Sequence, residues 1–238
     1  MPEVLLIILY SAFSGITVFF GGLLSYFFGK EFNANKRKKE INHFVIAFGG
    51  GIILAALALV LIPKGIEELE LFPLILCFAA GTLIFFFLDK KIEQSGSKYS
   101  QLIAMLLDFI PEALALGAIF ATDRKTGILL AVFIGLQNLP ESFNSYQDLT
   151  ANTFKPKKAL SILFLLSFMG IIGATTGFYL LSDLPQITAG IMTFAGGGIL
   201  YLIFQDIAPS VKLKKTWIPA LGANLGFLIG IIGDKLIH

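Results

Sequence analysis

Residues 100–121 read SQLIAMLLDFIPEALALGAIFA, a stretch of membrane-spanning length whose apolar interior is broken by the acids Asp108 and Glu112. A second stretch, residues 127–147, contains QNLPE at 137–141 and repeats the spacing, with a Pro-Glu pair closing a five-residue segment that opens on a polar side chain. An ionisable group at the centre of a bilayer costs roughly 2.5–3.5 kcal/mol. Three carboxylates in two neighbouring stretches therefore indicate a functional site.

The composition of the whole chain indicates a membrane protein. Hydrophobic residues make up 56% of the 238 residues and charged residues 14%, with a mean hydropathy of +0.82. A soluble domain of this size cannot bury so much apolar surface, and the runs lack the alternation of a membrane β-barrel. We predict an all-α, polytopic membrane protein forming one domain over residues 1–238. Its eight transmembrane helices are predicted near residues 4–28, 43–63, 72–89, 100–121, 127–147, 158–182, 186–208 and 216–236.

The basic residues predict the orientation of these spans. Fourteen of the 18 Lys and Arg residues lie in the loops after spans one, three, five and seven. Because positively charged loops stay in the cytoplasm, both termini are predicted on the non-cytoplasmic side. The basic loops are interpreted as orienting signals, and no nucleic-acid partner is predicted.

Two similar segments indicate an internal repeat. Residues 48–54 read FGGGIIL and lead to Pro63, whereas residues 194–200 read FAGGGIL and lead to Pro209. Spans two and seven run in opposite directions, as in the inverted-topology repeats of transporters. The expected plan is three helices, two helices and three helices. The alternative is that the glycines only mark close helix contacts.

The two polar segments are mirror images about one hairpin. Asp108 and Glu141 are equally distant from the loop between spans four and five, as are Glu112 and Gln137. At about 1.5 Å per residue these side chains lie roughly 19–25 Å from the loop. We expect two facing pairs, Asp108 with Glu141 and Glu112 with Gln137.

A metal cation is the simplest partner for these carboxylates, because the two spans that carry them, 100–121 and 127–147, contain no Lys or Arg to neutralise them. Pro111 and Pro140 each leave a carbonyl of the preceding turn without its helical donor, which adds oxygen atoms beside the site. The alternative is an ordinary pair of proline kinks with acids satisfied by hydroxyl groups. A polar stripe continues toward the cytoplasm, either as an ion path or as helix-to-helix hydrogen bonding: Gln137, Glu141, Asn144, Ser145 and Asp148.

The segments Asp108-Phe109-Ile110-Pro111-Glu112 and Gln137-Asn138-Leu139-Pro140-Glu141 resemble the motifs of the Zrt/Irt-like, or ZIP, transporters of divalent metals. The resemblance covers essentially the whole chain. It implies eight helices in a three-two-three inverted repeat, outward termini, a binuclear metal centre on helices four and five, and, in some members, a homodimer.

The departures from the family pattern affect the second metal position. Asp108 stands where a histidine is usual, and Phe109 stands where an asparagine is usual. The helix-six carboxylate that members often lend is missing, since residues 159–182 contain no Asp or Glu. The resemblance therefore implies one well-formed site from Asp108, Glu112, Gln137 and Glu141, with the second position reduced to Asn138 and the shared Glu112 and Glu141.

The predicted ligands are all oxygen atoms, which shifts preference from Zn²⁺ toward harder ions such as Mn²⁺, Fe²⁺, Ca²⁺ or Mg²⁺. Zn²⁺ stays a candidate because carboxylates also bind it, and Cd²⁺ is a further one. The metal is expected as the substrate, with no organic cofactor.

We predict a secondary transporter that carries a divalent cation through the site between helices four and five toward the cytoplasm, the direction being implied by the resemblance. It would lie in the cell membrane, with metal ions and the lipid bilayer as its partners. The alternatives are a non-transporting metal-binding membrane protein, structural or sensory, and a cation channel. An enzyme is not predicted, because the chain has no His-Glu-x-x-His segment and no nucleophile beside a base.

Overall fold

The computed structural model describes residues 3–29, 36–95, 100–152, 154–211 and 217–237. The regular structure of these residues is helical, and we number the helices in chain order. The bounds are α1 Glu3–Gly29, α2 residues 36–68, α3 Leu71–Ser95, α4 Ser100–Thr122, α5 Arg124–Asn152, α6 residues 156–181, α7 residues 185–210 and α8 Ile218–Ile237. The prediction of an all-α protein is confirmed.

Three of these helices are not uniform. Helix α2 joins Lys36–Ala56 to Ile62–Glu68 through a π-helical turn, Leu57–Leu61. Helix α7 likewise joins Pro185–Leu202 to Ala208–Ser210 through a π-helical turn, Ile203–Ile207. Helix α6 is interrupted at Ser167 and Phe168, between Pro156–Leu166 and Met169–Leu181.

Seven helices within the described residues are long and apolar enough to cross a membrane, and α5 is not among them. Helix α5 is less apolar because it carries the amides and acid of residues 137–141 and a polar stripe beyond them. Most residues between 129 and 146 of α5 are nevertheless buried among the other helices. The chain is a polytopic membrane protein in which α5 is an inner helix.

The helices form two groups of four. In the first group α1 packs on α5, α4 packs on α6, and the contacts α4–α5 and α1–α6 close the bundle. In the second group α2 packs on α8 and α3 packs on α7, with α2 also contacting α7. The main contacts between the groups are α2–α5 and α4–α7. The face of α4 and α5 that carries the polar segments therefore lies near the boundary between the two bundles.

Close backbone contacts hold the second bundle together. A Cβ added at Gly51 or Gly226 would overlap a backbone carbonyl oxygen across the α2–α8 contact, and one added at Gly81 or Gly197 would do so across α3–α7. Glycine at these positions lets the helix backbones approach closely, which is how helices associate in lipid without a hydrophobic driving force.

The α4–α5 hairpin is short because Asp123 caps α5. Its Oδ1 accepts hydrogen bonds from the backbone amides of Lys125 and Thr126, both at 3.1 Å. These bonds satisfy amides that the first turn of a helix leaves without partners. A one-residue turn fixes the register of α4 against α5.

The orientation was predicted from fourteen basic residues, and five of these lie outside the described residues: Lys30, Lys98, Lys212, Lys214 and Lys215.

We expect Gly226→Ala to destabilise the protein, because its new Cβ would overlap the Phe48 carbonyl and overpacking of this kind costs about 1–3 kcal/mol. Thermal unfolding in detergent should show a lower transition temperature than in the unsubstituted protein. Gly190→Ala is the matched control, since its Cβ would lie at an ordinary 3.6 Å from Cys77 Sγ. Equal transition temperatures for the two variants would contradict the close α2–α8 packing.

Candidate metal centre

The structure brings the polar side chains of α4 and α5 together in two pairs. Gln137 Nε2 donates a hydrogen bond of 2.5 Å to Glu112 Oε2. The side chains of Asp108 and Glu141 are in hydrogen-bonding contact one level away. These are the two pairs expected from the mirror spacing about the hairpin.

The site is almost completely shielded. Asp108 is 6% exposed, Gln137 is 1% exposed, and Glu112 and Asn138 are fully buried. Glu141 is partly exposed as a residue, but its Oε2 atom is buried. None of the three carboxylates forms a salt bridge within the described residues. A buried carboxylate without a positive partner is costly, so the site carries uncompensated negative charge whenever its acids are ionised.

Four buried oxygen atoms at the site have no hydrogen-bond partner among the described residues. They are Glu112 Oε1, Gln137 Oε1, Asn138 Oδ1 and Glu141 Oε2. Only Ser25 Oγ and His43 Nδ1 share this condition elsewhere in the described part of the chain. An unsatisfied buried acceptor costs about 1–3 kcal/mol, and a cation is the ligand that several such acceptors can share. The unpaired oxygens thus coincide with four of the five side chains predicted as ligands.

The carboxylates do not form a ready-made chelate. Among the residues described, no three His, Cys, Asp or Glu side chains are grouped closely enough to hold a metal ion. The physical reason is the layering: Glu112 is engaged by Gln137, whereas Asp108 and Glu141 meet at the adjacent level, about one helical turn of 5.4 Å away. One ion touching all three acids requires their side chains to rotate toward it.

Asn138 has a role that the sequence did not reveal. Its Nδ2 donates a 3.0 Å hydrogen bond to the backbone carbonyl of Ser14 in α1. The backbone carbonyl of Asn138 accepts a 2.6 Å hydrogen bond from Ser142 Oγ. Asn138 therefore ties α5 to α1 while its Oδ1 stays unpaired beside the site. The sequence gives no signal for this contact, because its partners are 124 residues apart.

Phe109 occupies space between α4 and α6. Its side chain is 1% exposed, and a Cβ added at Gly170 of α6 would lie 3.0 Å from its Cζ. Its backbone amide donates a 2.9 Å hydrogen bond to Asp108 Oδ1. An apolar ring thus fills the α6 side of the site, where the sequence also supplies no carboxylate.

The polar stripe of α5 divides into two parts. Ser145 is buried and its hydroxyl faces Met105 Sδ of α4 at 3.9 Å, which is a helix-to-helix contact. Asn144 is half-buried and lines cavities on the side of α2 and α7. Asp148 is exposed near the end of α5. The stripe thus makes a helix-to-helix contact at Ser145 and lines cavities at Asn144.

Two cavities adjoin the site. A small one of about 40 Å³ is lined by Pro140 and Glu141 of α5 and by the glycines of α2. A larger one of about 730 Å³ lies among the ends of α3 and α7 and the start of α4, and its walls include the acids Asp89, Glu93 and Asp206. Tyr201 donates a 2.9 Å hydrogen bond to Asp89 Oδ2 and joins α7 to α3 there.

Residues 89–233 match the family model described as ZIP zinc transporter. The chain is 28% identical to zinc transporter ZIP13 of Pongo abelii over 164 residues, which cover 64% of this chain and 49% of that protein. It is 32% identical to zinc transporter GufA of Myxococcus xanthus over 145 residues, which cover 58% of this chain and 57% of that protein. The chain spans about half the length of these relatives. Because the family model covers more than half of the chain, this polytopic membrane protein belongs to the ZIP zinc transporter family.

Proposed function

We propose that this protein carries a divalent metal cation across the membrane, with Asp108, Glu112, Gln137 and Glu141 as the ligands of the ion in transit. The observation that carries the proposal is the set of buried, unpaired oxygens on Glu112, Gln137 and Glu141, supplied by two helices in a chain of a metal-transporter family. Asn138 Oδ1 is the additional oxygen on the side of the second metal position.

Zn²⁺ is the first candidate cargo, because the similar proteins are named zinc transporters. The donor set is nevertheless all oxygen, and oxygen ligands suit Mn²⁺ and Fe²⁺ as well. Three carboxylates around one divalent ion leave a formal charge of −1. A proton shared among Asp108, Glu112 and Glu141 would balance it, so release of the metal is expected to be linked to proton uptake.

Alternating access is proposed to come from movement of the α1, α4, α5 and α6 bundle against the α2, α3, α7 and α8 bundle. The packing supports an inverted three-two-three repeat as its basis. Exchanging α1 with α6, α2 with α7, α3 with α8 and α4 with α5 converts the α1–α5 contact into α6–α4, and α2–α8 into α7–α3. The same exchange converts α2–α5 into α7–α4.

We take the orientation predicted from the basic loops, with both termini on the non-cytoplasmic side of a cell membrane. In that orientation the 730 Å³ cavity opens toward the cytoplasm. The cation would pass from the site between α4 and α5 toward that cavity. The acids on its walls, Asp89, Glu93 and Asp206, give the exit a negative potential that favours a cation.

A second candidate function is metal binding without transport, in a structural or sensory role. The observation that favours it is Phe109, whose buried ring removes a ligand of the second position. A protein of this kind would bind the ion and show no flux.

Glu112→Gln and Glu141→Gln are expected to reduce metal flux into proteoliposomes. Loss of one charge-assisted contact of about 1.5–3 kcal/mol corresponds to roughly a 10- to 100-fold weaker site. The flux of Zn²⁺ is read with an entrapped fluorescent indicator, and binding to the purified protein is measured in parallel. Glu67→Gln, at an exposed acid on the outer end of α2, is the matched control and should transport normally. Binding without flux in the unsubstituted protein would favour the structural or sensory function.

Asp108→His is expected to shift the metal preference toward Zn²⁺ relative to Mn²⁺, by about tenfold, because imidazole suits Zn²⁺ better than a carboxylate does. Competition of Mn²⁺ and Fe²⁺ against radioactive zinc measures the preference in both proteins. An unchanged ratio would mean that residue 108 does not touch the ion.

Metal analysis of the saturated protein is expected to give one ion per chain. The physical reason is that Phe109 and an α6 without acids leave too few donors for a second ion. Native mass spectrometry after removal of loosely bound metal gives the stoichiometry. Two tightly held ions per chain, both lost in Glu112→Gln, would show that the second position is intact.

A further inference from the structure

The two π-helical turns within the described residues occupy matching places. One spans Leu57–Leu61 in α2, two residues before Pro63, and the other spans Ile203–Ile207 in α7, two residues before Pro209. Each follows a run of three glycines in its own helix. A π-helical turn holds an extra residue in the helix, and such turns are frequent at functional sites.

The side chains at these turns pack into the glycines of the opposite helix. A Cβ added at Gly50 of α2 would lie 2.7 Å from Cγ2 of Ile207. A Cβ added at Gly196 of α7 would lie 2.8 Å from Cδ1 of Ile62 and 3.3 Å from Cδ1 of Leu57. Helices α2 and α7 therefore pack against each other at two such contacts. At 1.5 Å per residue, the contacts lie about 17 Å apart along the helices.

The contact made by Ile207 lies between the site and the exit. The 40 Å³ cavity holds Glu141, and the 730 Å³ cavity holds the acids of α3 and α7. Three residues line both cavities and so form the wall between them: Ile46, Asn144 and Ile207. A cavity of 40 Å³ has room for about one water molecule. A cation with its hydration shell is larger than this cavity.

We propose that Ile207, carried by the π-helical turn of α7 and seated on Gly50, is the inner gate between Glu141 and the large cavity. The proposal rests on the proposed transport function and adds a gating residue that binds no metal. Ile207 belongs to the bundle of α2, α3, α7 and α8, whereas Glu141 and Asn144 belong to the other bundle. The gate therefore opens when α5 moves relative to α7.

A shift of the π-helical turn along α7 moves the Ile207 side chain away from Gly50. Movement of the extra residue by one position along α7 turns the side chains it passes by about 100° around the helix axis, since an α-helix has 3.6 residues per turn. The wall can open in this way without separating α7 from α2. The matching contact of Ile62 and Leu57 on Gly196 holds the crossing at its other end.

Access to a thiol placed behind the gate tests the proposal. The native Cys77 is replaced by serine, and Ile53→Cys places a thiol in the small cavity, where Ile53 is 2% exposed. The protein is reconstituted in nanodiscs, so that both faces are open to a charged, membrane-impermeant thiol reagent. Ile207→Ala should raise the labelling rate about tenfold, as expected when a gate loses its packing and its open fraction rises. Ile207→Val should give a smaller increase, and it replaces the alanine variant if that protein does not fold.

The control for position is Phe204→Ala, in the same turn but with a side chain 69% exposed, which should leave the rate unchanged. The control for general loosening is the labelling of native Cys77 in Ile207→Ala without the reporter, which should also stay unchanged. Equal rates for Ile207→Ala, Ile207→Val and the unsubstituted reporter would overturn the gate. An equal acceleration by Phe204→Ala would overturn it too.

Zn²⁺ flux separates this proposal from the proposed function. Ile207→Phe should reduce flux at least tenfold while binding of Zn²⁺ to the site stays the same, because neither side chain at position 207 offers a ligand atom to the ion. Flux in the unsubstituted protein with no effect of Ile207 on labelling removes the gate and leaves transport intact. Labelling controlled by Ile207 in a protein without flux removes transport and leaves Ile207 as a barrier to access.

Discussion

A carboxyl group in an apolar interior needs a cation, a proton or a full set of hydrogen-bond donors, and the arrangement of this protein depends on that constraint. Asp108, Glu112 and Glu141 form no salt bridge among the described residues, and the amide of Gln137 satisfies one oxygen of Glu112. Four oxygens of the site, on Glu112, Gln137, Asn138 and Glu141, remain without a hydrogen-bond partner among the described residues. The bundle of α1, α4, α5 and α6 shields that group, and the short hairpin at Asp123 keeps its two sides in register.

The parts of the site that follow from local geometry were predictable from the sequence. A short turn and the constant rise of a helix decide which residues of α4 and α5 face each other, so the Glu112–Gln137 pair could be found by counting. The bond between Asn138 and Ser14 could not, because helix spacing carries no information on which distant helix α5 meets. The π-helical turns were also beyond prediction. The two segments, LALVL at 57–61 and IFQDI at 203–207, have no residue type in common that would have marked them.

The two departures from the family motif belong together physically. A phenyl ring at position 109 makes the α6 side of the site apolar, and an acid on α6 beside it would be a buried charge with no ligand to bind. Gly170 leaves room for the ring on the facing helix. The absence of Asp and Glu from residues 159–182 and the presence of Phe109 thus both fit the proposal of one metal position.

Helix α5 is the least apolar of the long helices and is surrounded by the others. A segment with this composition gains little from lipid on its own, since each exposed amide or carboxylate opposes its transfer from the translocon. It becomes stable in the bilayer only when α1 and α4 cover its polar face. The side chains proposed as ligands therefore also bear on membrane insertion: we expect α5 to enter the bilayer with α4 as a hairpin, against helices that have already been made.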